Sequence, residues 1–156
     1  MLAAVFGTQA LVGCGDSATD SELVFIPDVQ LECEGGQASG CLQEALNVFT
    51  GIQKTSTMPC DALMSGMSAS QRRMAFIATA DSVSNRTGNY LTAIATNWRN
   101  SSGGRVDVLP SGTYSVCAFV DVNGNGQLDL NEPLGQGSVT LGVTGARITE
   151  WAPSSR

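Results

Sequence analysis

Residues 114–133 read Tyr114-Ser-Val-Cys-Ala-Phe-Val-Asp-Val-Asn-Gly-Asn-Gly-Gln-Leu-Asp-Leu-Asn-Glu-Pro133, and two patterns meet in them. Tyr114, Val116, Ala118 and Val120 alternate with Ser115, Cys117 and Phe119. A period of two in β-branched and aromatic residues is the mark of a strand. Asp121, Asn123 and Asn125 then occupy alternate positions, with Gly126, Asp129 and Glu132 behind them. Residues 121–132 satisfy D-x-[DN]-x-[DN]-G-x5-E at every defined position. Calcium is a hard cation that takes six to eight oxygens at about 2.3–2.6 Å. Asp121, Asn123 and Asn125 offer side-chain oxygens from a tight loop, and Gly126 permits its sharp turn. Gln127 offers a backbone carbonyl, Asp129 binds directly or through water, and Glu132 closes the cage with both oxygens. Leu128 falls where such a loop anchors to its scaffold. The plainer alternative is an Asx-rich turn with no metal, because Asn-Gly is itself a turn signal.

The flanks decide what kind of calcium site this is. An EF-hand has a helix on each side of its loop. Here a strand enters, and Pro133-Leu-Gly-Gln-Gly137 leaves, which cannot continue a helix. Calcium therefore has no helix pair to open, and a calmodulin-like sensor is not expected. The expected role is a structural clip between strands. Asp121, Asp129 and Glu132 would repel one another without the ion, and an affinity on the order of 10⁻⁴–10⁻³ M would suffice.

Outward from this stretch the chain continues to read as short strands. Val29, Leu31 and Cys33 alternate with Gln30 and Glu32, and Pro27 before them predicts an edge or a bend. Segment 41–51 fits both periods; the weak helix formers Asn47, Val48, Phe49 and Thr50 tip it towards a strand. The apolar run from Arg73 to Ala80 predicts a central strand. Tyr90, Thr92, Ile94, Thr96 and Trp98 fall on one face of another, between turns at 85–89 and 100–104. Val106–Pro110, Ser138–Val143 and Ala146–Trp151 complete the set. Seven or eight strands with turn signals between them predict an all-β, antiparallel sandwich.

Composition agrees. The 156 residues suit one domain, and the 14% charged and 42% hydrophobic fractions argue against disorder. The net charge of −6 leaves no basic footprint, so no nucleic-acid partner is expected. There is no His, which removes the Ser-His and Cys-His engines and imidazole metal ligands. Lys54 is the sole Lys and sits in a polar turn, so the Ser residues lack a base and no enzymatic activity is expected. Tyr90, Trp98 and Trp151 are candidates for a sugar-stacking platform, although such residues more often pack a core. Arg72 and Arg73 read as a solvated patch.

Five Cys are present, at 14, 33, 41, 60 and 117. Setting Cys14 aside leaves four, which suits two disulfides in an oxidising compartment. Three connectivities exist. The flexible segment between Cys33 and Cys41 favours joining those two, leaving Cys60 for Cys117.

Two resemblances extend this reading. Leu11-Val12-Gly13-Cys14, after an apolar stretch and before the polar run GDSATDSE, resembles the lipobox of bacterial lipoproteins. It implies a signal peptide over 1–13, a lipidated Cys14 opening a tether over 14–22, and one domain over 23–153. Gly15 after the Cys implies the outer membrane. Residues 114–133 also resemble the strand-and-calcium-loop element of bacterial surface sandwiches, the prealbumin-like and B-type repeat domains of adhesins. That resemblance implies an immunoglobulin-like or transthyretin-like β-sandwich with loop-bound Ca²⁺ and no catalysis. The expectation is an exported, lipid-anchored structural or interaction module of the cell envelope. Its partners are the membrane and an envelope protein or polysaccharide. The alternatives are a glycan-binding module and, more remotely, a small hydrolase.

Overall fold

A computed structural model describes residues 21–34, 41, 46–55, 58–143 and 146–155. The expectations for 1–13, Cys14 and the tether as far as residue 20 fall outside the described residues.

Eleven strand segments and two short helices are described, and the fold is an all-β sandwich. Strands β2 (Val29–Glu34), β5 (Asn85–Thr87), β6 (Tyr90–Ala95) and β10 (Ala146–Ile148) form one sheet in the order β10-β2-β6-β5. Strands β3 (Asn47–Lys54), β4 (Ala78–Val83), β8 (Gly112–Asp121), β9 (Pro133–Leu141) and β11 (Trp151–Pro153) form the other, in the order β11-β9-β8-β3-β4. A separate ribbon pairs β1 (Leu23–Phe25) with β7 (Val108–Pro110). All pairings between these strands are antiparallel except β10 with β2. Pro27 lies in the bend between β1 and β2; β2 itself is flanked on both sides, so the bend is found and the edge is not.

Alternation places the main core. Val29, Leu31 and Cys33 from β2, Leu91, Ala93 and Ala95 from β6, and Tyr114, Val116, Ala118 and Val120 from β8 meet between the sheets. Each fully buried aliphatic or aromatic side chain contributes about 1.5–3 kcal/mol. Tyr114 lies at the start of β8 and donates its hydroxyl to the Pro110 carbonyl at 2.7 Å, a tyrosine corner that ties the strand to its preceding turn. Burial pushes its phenol pKa up.

The odd-numbered residues of β8 from Cys117 onward are buried as well. Cys117 and Phe119 are buried in a second cluster with Cys60, Leu63, Met64, Phe76 and Leu128. Helices α1 (Cys60–Met64) and α2 (Ala69–Ala75) cover the outer face of the five-stranded sheet and make a local third layer. This corrects the expectation of a strand from Arg73 to Ala80. Arg73–Ala75 end α2, and β4 begins at Ala78. A capping box starts α2: Ser68 accepts from the Gln71 N–H, and the Gln71 side chain accepts from the Ser68 N–H.

Disulfides join Cys33 to Cys41 and Cys60 to Cys117, as expected. The second staples α1 to β8. Segment 41–51 is strand from Asn47; residues 42–45 fall outside the described residues. The stretch 146–151 is two short strands, because the chain leaves one sheet at Ile148 and joins the other at Trp151.

Candidate functional site

Strand β8 delivers Asp121 to the rim of the sandwich, and β9 begins directly after Glu132. The loop between them is therefore held at both ends by paired strands. Its far end has a third support. The Asn131 N–H donates to the Ser154 carbonyl at 3.0 Å, and the Ser154 N–H donates to the Glu132 carbonyl at 2.8 Å. Leu128 is buried among Cys60, Leu63 and Phe119, and its backbone bridges to Ser65 after α1. The anchoring expected of Leu128 is thus found.

Inside the loop the six candidate ligands are drawn into one hydrogen-bonded net. Asp121 Oδ1 accepts from the Gly124 N–H at 2.9 Å, and Oδ2 from the Gly126 N–H at 2.8 Å. Glu132 Oε1 accepts from the Val122 N–H at 2.8 Å, and Oε2 from the Asp129 N–H at 2.9 Å. Asn123 Oδ1 accepts from the Asn125 N–H and Asn125 Oδ1 from the Gln127 N–H, at 2.9 and 2.7 Å. Asp129 Oδ2 accepts from the side-chain amides of Asn123 and Asn125, both at 2.6 Å. Gly124 and Gly126 have φ of 75° and 73°, a left-handed conformation that glycine takes without strain.

Asp121 and Glu132 are 2% and 4% exposed, while the Asx side chains between them are at the surface. Burial pushes the Glu132 carboxyl above its ordinary pKa; N–H bonds from Asp129, Val122 and Asn123 pull it down, and the Asp121 charge pushes it up again. The net direction is upward, so the loop holds a carboxylate pair at an energetic cost. A carboxylate oxygen has two lone-pair sites, so an N–H on one side leaves the other for a cation. The chemistry of the donors, hard oxygens with net negative charge, fits calcium. Among the described residues, however, no group of three or more His, Cys, Asp or Glu is arranged to hold a metal by itself. An ion here would draw on the amide and carbonyl oxygens of Asn123, Asn125 and Gln127 as well.

Arg72 was expected in a solvated patch, and the structure corrects this. It is 3% exposed, with its guanidinium over the rings of Phe49 and Phe119 at 4.5 and 5.1 Å. Nη1 donates to the Met67 carbonyl at 2.9 Å and to the Gly126 carbonyl of the loop at 2.6 Å. Desolvation lowers its pKa, against the raising charges of Asp81 and Asp121. A guanidinium stays protonated in proteins, so Arg72 is a fixed positive charge behind the loop. The aromatic neighbours that would have signalled this, Phe49 and Phe119, are distant in sequence. Only the pairing of β3 with β8 brings Phe49 opposite Phe119. Arg73, by contrast, is half-exposed, 4.0 Å from Asp81.

The proposed aromatic platform does not form. Trp98 and Trp151 are buried, and Trp151 donates its Nε1–H to the Glu32 carbonyl at 2.8 Å. Tyr90 is exposed on the outer face of β6.

No protein-family model matches the chain, and no curated protein is a significant match. Among solved structures the chain is similar to a fimbrial assembly protein from Parabacteroides distasonis ATCC 8503, at 10% sequence identity and a TM-score of 0.43. The similarity covers 82% of this chain and 53% of that one, so this chain spans about half of that protein's length.

Proposed function

We propose that the chain is an exported, non-catalytic β-sandwich whose 121–132 loop binds calcium as a structural clip. In this reading it is held at a bacterial envelope by a lipid on Cys14 and serves there as a structural or interaction module. The observation that carries the calcium reading is the buried pair Asp121 and Glu132. Their carboxylates sit at the two ends of one short loop, each accepting backbone N–H bonds, and burial together with the Asp121 charge raises the pKa of Glu132. Arg72 offsets part of that charge, and a divalent cation would offset the rest. The loop ties β8, β9, α1 and the C-terminal segment together, so an ion bound there would stiffen one end of the sandwich without moving a helix pair.

The two disulfides support an oxidising compartment. The lipobox-like LVGC supports the anchor. Titration calorimetry tests the metal reading: calcium binds the wild type, Asp121→Ala abolishes the heat, and magnesium substitutes poorly because it demands a smaller octahedral shell. Absence of binding at millimolar calcium contradicts it. Membrane fractionation of Cys14→Ser tests the anchor separately; a variant that still pellets with membranes after a salt wash contradicts it.

A further inference from the structure

The sequence contains two Asn-Gly pairs, Asn123-Gly124 and Asn125-Gly126, and both lie in the loop. Asn-Gly is the dipeptide in which a side-chain amide is lost most easily, because glycine has no Cβ to hinder its backbone nitrogen. In that reaction the glycine nitrogen bonds to the Asn Cγ, the Cγ–Nδ2 bond breaks and ammonia leaves. Water then opens the cyclic imide, giving Asp or isoaspartate. The balance is one water in and one ammonia out, with no change of oxidation state.

The geometry of the loop opposes each half of this reaction. The attacking nitrogens, those of Gly124 and Gly126, both donate to the Asp121 carboxylate, at 2.9 and 2.8 Å. The departing groups, Nδ2 of Asn123 and of Asn125, both donate to Asp129 Oδ2 at 2.6 Å. The remaining side-chain oxygens are held by the N–H groups of Asn125 and Gln127. We infer that Asp121 and Asp129 together lock Asn123 and Asn125 against self-conversion, and that opening of the loop exposes both as modification sites. A carboxylate is far too weak a base to take a backbone amide proton, so these bonds restrain the nitrogens and do not activate them. Reaction requires the Asn side chain to leave both of its own bonds and turn towards the next residue's nitrogen. The rate therefore follows the population of locally opened loop.

Escape from the lock is one-way. Each conversion adds a negative charge beside Asp121, Asp129 and Glu132, and isoaspartate lengthens the main chain by one methylene within the turn. The loop cannot then close as before. The lock consists of protein hydrogen bonds alone and stands whether or not the loop takes calcium.

The test incubates the full chain at mildly alkaline pH and follows the exchange of amide for acid at 123 and 125 by peptide mass mapping. Native wild type is expected to convert at least about tenfold more slowly than the same protein in denaturing urea, as local opening limits it. Asp121→Ala and Asp129→Ala are expected to convert faster than wild type while retaining a cooperative melt. Should either variant fail to fold, the native-to-urea ratio together with hydrogen exchange of the Gly124 and Gly126 amides decides. Native wild type converting as fast as the unfolded chain, or folded variants converting no faster than wild type, overturns the lock. Calcium and chelator arms keep the two readings apart: equal rates in both count against calcium binding and leave the lock intact.

Discussion

Gly51 lies in the middle of β3, opposite Cys117 of β8 on one side and Thr79 of β4 on the other. A glycine in a strand interior ordinarily costs about 0.5–1 kcal/mol relative to Ala, so Gly51→Ala would ordinarily stabilise the sheet. Here the ring of Phe76, immediately after α2, occupies the space a side chain at 51 would take. A Cβ there would lie 2.5 and 2.6 Å from Phe76 Cδ1 and Cδ2, against an optimum of about 3.5–4.0 Å between carbons. Phe76 is 4% exposed and has little room to retreat. Overpacking of this kind costs about 1–3 kcal/mol, which outweighs the propensity gain. We expect a net loss of about 1–2 kcal/mol, or a fall in Tm of roughly 2–8 °C at this chain length. Phe76→Ala alone costs about 3–5 kcal/mol. In that background Gly51→Ala should become neutral or stabilising, and a double-mutant cycle by urea unfolding reads the coupling directly. A Gly51→Ala protein as stable as wild type, or one equally destabilised with and without the Phe76 ring, would refute the packing of the helical layer on β3.

Three further outcomes follow from the same contacts. The Cys60–Cys117 bridge closes a separation of 57 residues and the Cys33–Cys41 bridge one of 8, so removing the first pair should cost about 4 kcal/mol and the second about 2.5 in the chain-entropy account, measured by urea unfolding of double Ser variants. Arg72→Met keeps the stack on Phe49 and Phe119 but loses both carbonyl bonds and the charge behind the loop; it should lower stability in chelator by about 2–3 kcal/mol and enlarge the calcium-induced rise in Tm. Glu132 has its folded pKa raised above the unfolded value, so without calcium its contribution is present below the unfolded value, about 4.3, and is lost as pH rises through the raised folded value. In chelator, acidification across that window should therefore stabilise wild type relative to Glu132→Gln, while in calcium the ion favours the carboxylate and the advantage of low pH should vanish; a pH series of melts checks both.

The strand-then-loop stretch was legible because its signals are local. The alternation over 114–120 and the spacing of Asp121, Asn123, Asn125, Gly126 and Glu132 need no partner to be recognised. The disulfides were legible because the Gly-rich sequence between Cys33 and Cys41 favours joining those two, and pairing the remaining two then follows. The helical layer was not. Helix α1 is five residues long, and the apolar run 73–80 straddles the end of α2 and the start of β4, so one period hid two elements. Ser68 and Gln71 did carry a capping-box signal within the sequence. Burial of Arg72 depends on two rings from strands 70 residues apart, Phe49 and Phe119, stacking 5.2 Å from one another. The faces of β6 were assigned correctly as alternating, but Trp98 lies beyond the strand, where the period no longer applies. The parallel docking of β10 on β2 is a long-range choice that no local pattern records.

The central claim is that residues 121–132 are a cation clip for the sandwich, and thermal unfolding of wild type and Asp121→Ala in calcium and in chelator tests it most directly. A ligand of the native state at tenfold excess over its Kd adds about 1.4 kcal/mol of stability. That corresponds to a rise in Tm of roughly 3–6 °C at this chain length. The account predicts this rise for wild type and its loss in Asp121→Ala, with the helical signal unchanged because no helix flanks the loop. A wild-type Tm that is the same in calcium and in chelator would contradict it.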